Sequence, residues 1–398
     1  MKISHRLLSA ALSTALSFSG PAITAFSCSA VIILNLSNQA IAQSNHIPSK
    51  NHHKKITKKS AKVAKQAASK TAAIKTNDVH YLEWQEVQAF IVQMQTEHGF
   101  DSVRLQQIFT NARYIETAIQ LVKPAPPGKP KNWKAYRARF VENGRISAGI
   151  AFWERNLETL NRAENIYGVP AEIIVGLIGV ETIYGKNTGS FRALDALTTL
   201  AFSYPDIPNR EARMIFFKNE LAQLLLWSRD TGIDIFSIKA SYAGAIGLSQ
   251  FMPSSLRLFA VDFDGDNKVD LKESEADAIG SVANYLSKHG WQKGLPYAFP
   301  ATLLNQDATS AQLNEVLGRG LKASYSLNDL KPLVSTADEQ APKNIAYGLI
   351  DLQNAEDPTE YWLATDNFFA ITKYNRSYFY AMSVIDLGKV IALARKKD

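Results

Sequence analysis

From Ile173 to Ile183 the only charged side chain is Glu181, and the apolar residues lie on every face rather than along one stripe. A surface helix needs a polar face and a half-exposed strand needs alternation, so this stretch reads as a helix enclosed on all sides. Pro170 suits the first helical position and Gly185 is a natural stop. Glu181 then falls in the last turn, where desolvation and the negative end of the helix dipole both raise its pKa. A carboxyl still protonated near neutral pH can act as a general acid. The competing reading is that Glu181 pairs with a core arginine or reaches solvent at the helix end.

The chain has 398 residues, enough for two or three sub-domains, and a formal charge of +7. Residues 1–77 carry +11 and no acid, leaving −4 for the rest, which argues against a nucleic-acid-binding core. The basic start followed by a long apolar, Ser/Ala-rich run reads as an export signal over 1–42, cleaved after Ala42, which predicts a periplasmic protein. Two alternatives attach the protein to the membrane: an uncleaved N-terminal anchor, or lipidation of Cys28, whose flanks match a lipoprotein signal poorly. Cys28 is the only cysteine, so the mature chain needs no disulfide. Residues 43–78, rich in Lys, Ala, Ser and Thr, read as a flexible basic linker with a loose, salt-sensitive attraction to membrane or cell-wall polymer.

Order is predicted from Val79. Trp84, Val87, Phe90, Ile91 and Met94 recur at helical spacing up to Gly99; Asp101 can cap a second helix carrying Val103, Leu105, Ile108 and Phe109. A further helix carries Phe152, Leu157, Leu160 and Ala163 into the Glu181 stretch, and helices follow through Leu194–Leu200 and Phe216–Leu225. After Trp291 the composition changes, and 346–352, 360–364 and 367–372 read as strands of a small antiparallel sheet. A last helix is predicted from about Ser377 to Arg395.

Two segments carry chemistry. In 239–255, glycines and small residues let the backbone approach a ligand, and Ser241 and Gln250 offer compact hydrogen-bonding groups of the kind that orient sugars. In 262–273, oxygen side chains from Asp262, Asp264, Asp266 and Asp270 stand at loop positions one, three, five and nine, with Lys268 at seven and Glu273 at twelve, as a structural Ca²⁺ loop requires. Asn267 replaces the usual glycine at position six, and Asn also visits left-handed backbone. The other reading is a solvated acidic turn.

A helix ending in Glu181 followed by Gly247-Leu248-Ser249-Gln250-Phe251-Met252-Pro253 resembles goose-type lysozymes and lytic transglycosylases. Together with 277–285 and 372–382, the pattern resembles the membrane-bound lytic transglycosylase B family over roughly Val79 to Gly388. The resemblance implies an α+β, mainly α fold: a lysozyme-like helical core (167–292) with an EF-hand-like loop (262–277), an N-terminal helical region (79–166), a small antiparallel β region (293–375) and a C-terminal helix (376–398) packing back on the core. It implies cleavage of the β-1,4 bond between N-acetylmuramic acid and N-acetylglucosamine in peptidoglycan glycan strands, leaving 1,6-anhydro ends. Glu181 matches the family's acid/base, Ser241 the serine that orients the substrate N-acetyl group, and Gln250 and Asn375 polar groups of the cleft. Tyr136, Tyr285 and Tyr380 match aromatic residues lining it. Only Arg213 matches the family's adjacent arginines, and Asp277 rather than Glu273 matches the acid closing the metal loop. A monomer is expected. No second acid adjoins Glu181 in sequence, which fits participation by the substrate's own N-acetyl oxygen, although Asp195 or Asp206 can approach in space. The alternatives are a hydrolytic muramidase and a non-catalytic peptidoglycan-binding scaffold.

Overall fold

A computed structural model describes residues 79–124, 128, 130–304, 311–336 and 341–396; the export segment, Cys28 and the basic linker lie outside the described residues. The first layer is helical: α1 (Gln85–His98), α2 (Ser102–Thr110), α3 (Glu116–Val122) and α4 (Trp133–Arg137). Gly99 ends α1 at φ 66°, and the Asp101 carboxylate caps α2 by accepting the Arg104 N–H at 2.7 Å. Val103, expected inside, is exposed. The helix expected through Phe152 and Leu160 is two, α5 (Asn143–Arg155) and α6 (Leu157–Tyr167). They break at Asn156, whose side-chain amide donates to the Phe152 carbonyl at 2.9 Å and to Glu275 at 2.5 Å, and Leu157 is turned outward.

The enclosed helix is α7 (Ala171–Thr182), with every residue from Ile173 to Val180 buried. Pro170 is its N-cap rather than its first residue, and it stops before Gly185, at Ile183, which takes φ 52°. A short antiparallel pair, β1 (Phe191–Arg192) with β2 (Lys239–Ala240), is linked through α8 (Ala193–Phe202) and α9 (Arg210–Thr231). The core continues through α10 (Pro253–Phe259) and α11 (Glu275–Lys288).

The second sheet is built from β3 (Ala298–Leu303), then α12 (Ala311–Gly318), β4 (Tyr325–Ser326), α13 (Leu327–Leu330), β5 (Val334–Ser335), β6 (Ala346–Asn354) and β7 (Asp357–Ala364). Its strand order is β4-β6-β7-β3-β5, antiparallel throughout. The period of two along β6 sends Tyr347 and Leu349 into a small core of its own and Ile350 and Leu352 into the main core. Residues 367–372, expected as a strand, belong instead to α14 (Asp366–Tyr374). Thr365 caps it, and the Asn367 amide donates to the carbonyls of Gln292 and Leu295 at 2.8 and 2.7 Å. Its residues Asn367–Thr372 are all buried, which removes the polar face that would have marked a helix in the sequence.

The chain closes with α15 (Tyr378–Arg395), which lies along α7. Two glycines set their separation. A methyl group at Gly176 would lie 2.2 Å from the Val384 carbonyl oxygen, and one at Gly388 would lie 2.1 Å from that of Glu172. Among the described residues no single helix is long and apolar enough to cross a membrane.

Gly388→Ala should therefore destabilise the fold by about 1–3 kcal/mol, because backbone cannot move aside as a side chain can. Gly318→Ala, where nothing lies within 4 Å, should be neutral or slightly stabilising. Urea unfolding midpoints of the two variants check this; equal midpoints would show that the helices are not held at backbone distance.

Candidate active site

Glu181 is partly buried at the C-terminal end of α7, on the wall of a cavity of about 690 Å³. Its Oε1 accepts the Tyr380 hydroxyl at 2.5 Å, delivered from the first turn of α15. Burial pushes the Glu181 carboxyl up to about 7, and the Tyr380 hydrogen bond, which favours the charged form, partly opposes this. The adjoining ring of Tyr374 is stacked at 6.5 Å on Tyr380 and donates to the Ser249 carbonyl, so Glu181 is held by groups with no charge of their own.

The backbone after the acid is unusual. Ile183 and Tyr184 both take positive φ, 52° and 55°, which β-branched and aromatic residues rarely adopt. The reversal is fixed by Thr182, whose hydroxyl donates to the Leu248 carbonyl at 2.9 Å and accepts the Gly185 N–H at 3.1 Å. Tyr184 turns back between α5 and α7: a methyl group at Gly149 or Gly179 would lie 2.5 or 2.3 Å from its hydroxyl. Backbone of this kind persists only where the surroundings over-determine it.

The opposite wall comes from the Gly-rich segment. The Ser241 Oγ accepts the Ala245 N–H at 3.1 Å and keeps its own proton to donate into the cavity. Gln250, at φ 51°, spends its amide nitrogen on the carbonyls of Thr188 and Gly247, at 3.1 and 2.9 Å, leaving its oxygen as the group it can offer. Tyr136 and Asn375 line an adjoining cavity of about 540 Å³, joined to the first through Arg139, which lines both.

Three expected lining residues stand elsewhere. Tyr285 is buried in the core, donating to the Lys373 carbonyl at 2.8 Å and stacked on His289 at 3.9 Å. Tyr380 is fully buried, so it acts on Glu181 and presents no ring face to a sugar. Arg213 lines neither cavity; its Nε donates to the Tyr204 hydroxyl at 3.3 Å, with Phe216 and Phe217 beside it. Conversely, Arg139, Phe140, Arg145 and Lys186 line the main cavity and carried no sequence signal beyond their nearness to Tyr136 and Glu181. Among the described lining residues Glu181 is the only acid. Asp195 is engaged by Arg192 and by the Arg113 N–H, and Asp206 is exposed.

In the acidic loop, carboxylate oxygens of Asp262, Asp264 and Asp277 come within 4.8 Å of one another. Asn267 adopts the left-handed backbone expected of position six, φ 69°. Asp277 accepts the N–H groups of Phe263 and Asp270, both at 2.7 Å, and so ties both ends of the loop to α11. Glu273 is exposed and paired with Lys272, and Asp266 is exposed and outside the carboxylate cluster; Lys268, at position seven, is exposed on the same loop.

The model of the family described as Transglycosylase SLT domain matches residues 83–389. The membrane-bound lytic murein transglycosylase B of Escherichia coli (strain K12) is 41% identical over 317 residues, covering 77% of this chain and 83% of that protein. The structure of the soluble lytic transglycosylase SltB1 from Pseudomonas aeruginosa superimposes with a TM-score of 0.70 at 40% identity, covering 78% of this chain and 99% of that one. That of the Escherichia coli lytic transglycosylase Slt35 in complex with calcium does so with 0.68 at 39%, covering 78% and 94%.

The raised Glu181 carboxyl makes a stability prediction. Its pKa is about 7 in the folded chain against an ordinary 4.5, so between these values the folded state binds more protons and stability falls as pH rises. Glu181→Gln removes that loss. The variant should gain up to about 3 kcal/mol on the parent between pH 4 and pH 8. Chemical denaturation at the two pH values measures it, and a constant difference would mean that Glu181 titrates normally.

Proposed function

Because the chain belongs to the SLT-domain transglycosylases and is a lytic enzyme of peptidoglycan, we propose that Glu181 carries its proton transfers alone. The observation behind this is a single acid, poised near neutrality, in a cavity whose other described lining residues hold no second carboxylate. As the bond from muramyl C1 to the leaving N-acetylglucosamine oxygen breaks, Glu181 gives that oxygen its proton. The substrate's N-acetyl oxygen bonds to C1 in place of an enzymic nucleophile, with Ser241 placed to hold the acetamido group. Glu181, now a carboxylate, takes the proton of the muramyl O6 hydroxyl; O6 attacks C1 and displaces the acetamido oxygen. The product is the 1,6-anhydro end, no water is consumed, and Glu181 returns protonated. Tyr380 serves as a positioning residue, donating to Glu181 throughout.

Action outside the cytoplasm is supported by the export pattern of the first 42 residues and by the relative named as membrane-bound. Glu181→Gln should lower turnover of purified sacculi by roughly two to four orders of magnitude while the fold survives. Mass spectrometry of the parent's products should find anhydro ends; muramic reducing ends as the main product would replace this mechanism by hydrolysis.

The acidic loop fits a hard cation by its donor chemistry, three converging carboxylates, and Slt35 is a relative solved with calcium. Asp262, Asp264 and Asp277 would hold the ion, with Asp277, which the resemblance implied, rather than Glu273, which loop spacing offered, in the closing place. Bound there, Ca²⁺ would supply structural charge neutralisation outside the cavity that Glu181 lines. Millimolar Ca²⁺ should raise the melting temperature of a chelator-stripped sample, and Asp277→Asn should abolish the increment; an unchanged transition would leave a solvated acidic turn.

A further inference from the structure

Beside Glu181 the main cavity is lined by three cations, Arg139, Arg145 and Lys186. Lys186 is exposed, but Arg145 is only 8% exposed, and its Nε and one terminal nitrogen have no hydrogen-bond partner. Glu142 acts on it only through space, its oxygens being taken by the Gly144 and Arg145 backbone N–H groups at 2.7 and 2.6 Å as the cap of α5. A guanidinium cannot shed its proton as a buried lysine can, so burying one without a carboxylate is costly. A charge left in this state asks for an explanation, and an anion that offsets it from the cavity Arg145 lines is one. The neighbourhood is built to hold the guanidinium groups still. The Phe140 ring centroid is 5.1 Å from the Arg145 guanidinium carbon and 5.8 Å from that of Arg139, and Arg139 lies 4.4 Å over Tyr136. Arg213, the arginine matched to the family's adjacent pair, lines neither cavity and donates to the Tyr204 hydroxyl.

We propose that Arg145, with Arg139 beside it on Phe140, is a carboxylate-reading subsite that binds an anion of the muramyl substituent and so selects which sugar lies over Glu181. This deepens the peptidoglycan reading and rests on it. Muramic acid carries a lactyl ether, and two sources share the required chemistry: the lactyl carboxylate of a strand stripped of peptide, or a carboxylate of the peptide where one is attached. A guanidinium edge presents two parallel N–H donors that match a carboxylate, whereas neutral sugar hydroxyls use such a fork poorly.

The test uses the Glu181→Gln chain, which binds without turning over, and three glycan preparations: peptide-bearing strands, amidase-stripped strands, and stripped strands with the lactyl carboxyl converted to a methylamide. The methylamide strands should bind roughly 10- to 100-fold more weakly than at least one charged preparation. Adding Arg145→Gln should erase that difference, and Arg145→Lys should restore part of it. Preference for stripped strands assigns the lactyl carboxylate; preference for peptide-bearing strands assigns the peptide. Equal binding of all three preparations overturns the subsite, and that comparison needs no arginine variant to fold. An Arg145→Gln loss equally large on methylamide strands overturns it too, since Arg145 would then serve packing or a neutral acceptor. Anhydro ends released by the parent in a parallel digest keep the lytic reading standing whatever the binding result; their absence removes that reading instead.

Discussion

The approach of α7 and α15 to backbone distance is the constraint from which the catalytic geometry follows. Glu181 is near one end of α7 and Tyr380 near the start of α15, so the 2.5 Å hydrogen bond between them exists only while the two axes stay this close. Gly176 and Gly388 make that possible by giving up side chains, at a helix-propensity cost of about 1 kcal/mol each. The enclosed apolar surface of α7 repays the loss by packing on every side, and the same enclosure dries the carboxyl enough to hold its proton near neutrality. Stability and acidity thus share a cause.

Electrostatically the cleft is divided. Glu181 is surrounded by neutral donors and rings, while the permanent charges stand on Arg139, Arg145 and Lys186 along the same cavity. The pKa of the acid is set chiefly by burial and by Tyr380. The separation lets substrate anions be attracted without converting the acid to its carboxylate, which a cation in contact would do.

Much of this was legible from residue order. The enclosed helix, the acid in its last turn, the Asp101 cap, the β6–β7 hairpin segments and the left-handed Asn267 follow from local rules that leave few alternatives. The misreadings share one origin, tertiary burial that erases periodicity. Residues 367–372 looked like a strand because a helix buried all round has no polar face, and Asn156 broke a helix through a contact with Glu275 that lies far along the chain. In the site, the sequence identified polar groups by type but not by direction. Tyr285 and Tyr380 point into the protein, and Arg145 looks like any basic residue of an amphipathic helix until its lack of partners is seen.

Tyr184 links the backbone that follows the acid to α5. Its hydroxyl occupies the space that a methyl group at Gly149 in α5 or Gly179 in α7 would fill, and its backbone follows Glu181 by three residues. The three positions are therefore coupled: a side chain at Gly179 presses on the tyrosine, one at Gly149 on the tyrosine and on Ile391, and the tyrosine's backbone runs directly on from the carboxyl. A lineage can drift freely across the solvent face of α5, yet at Gly149 it is bound by the orientation of a side chain on another helix.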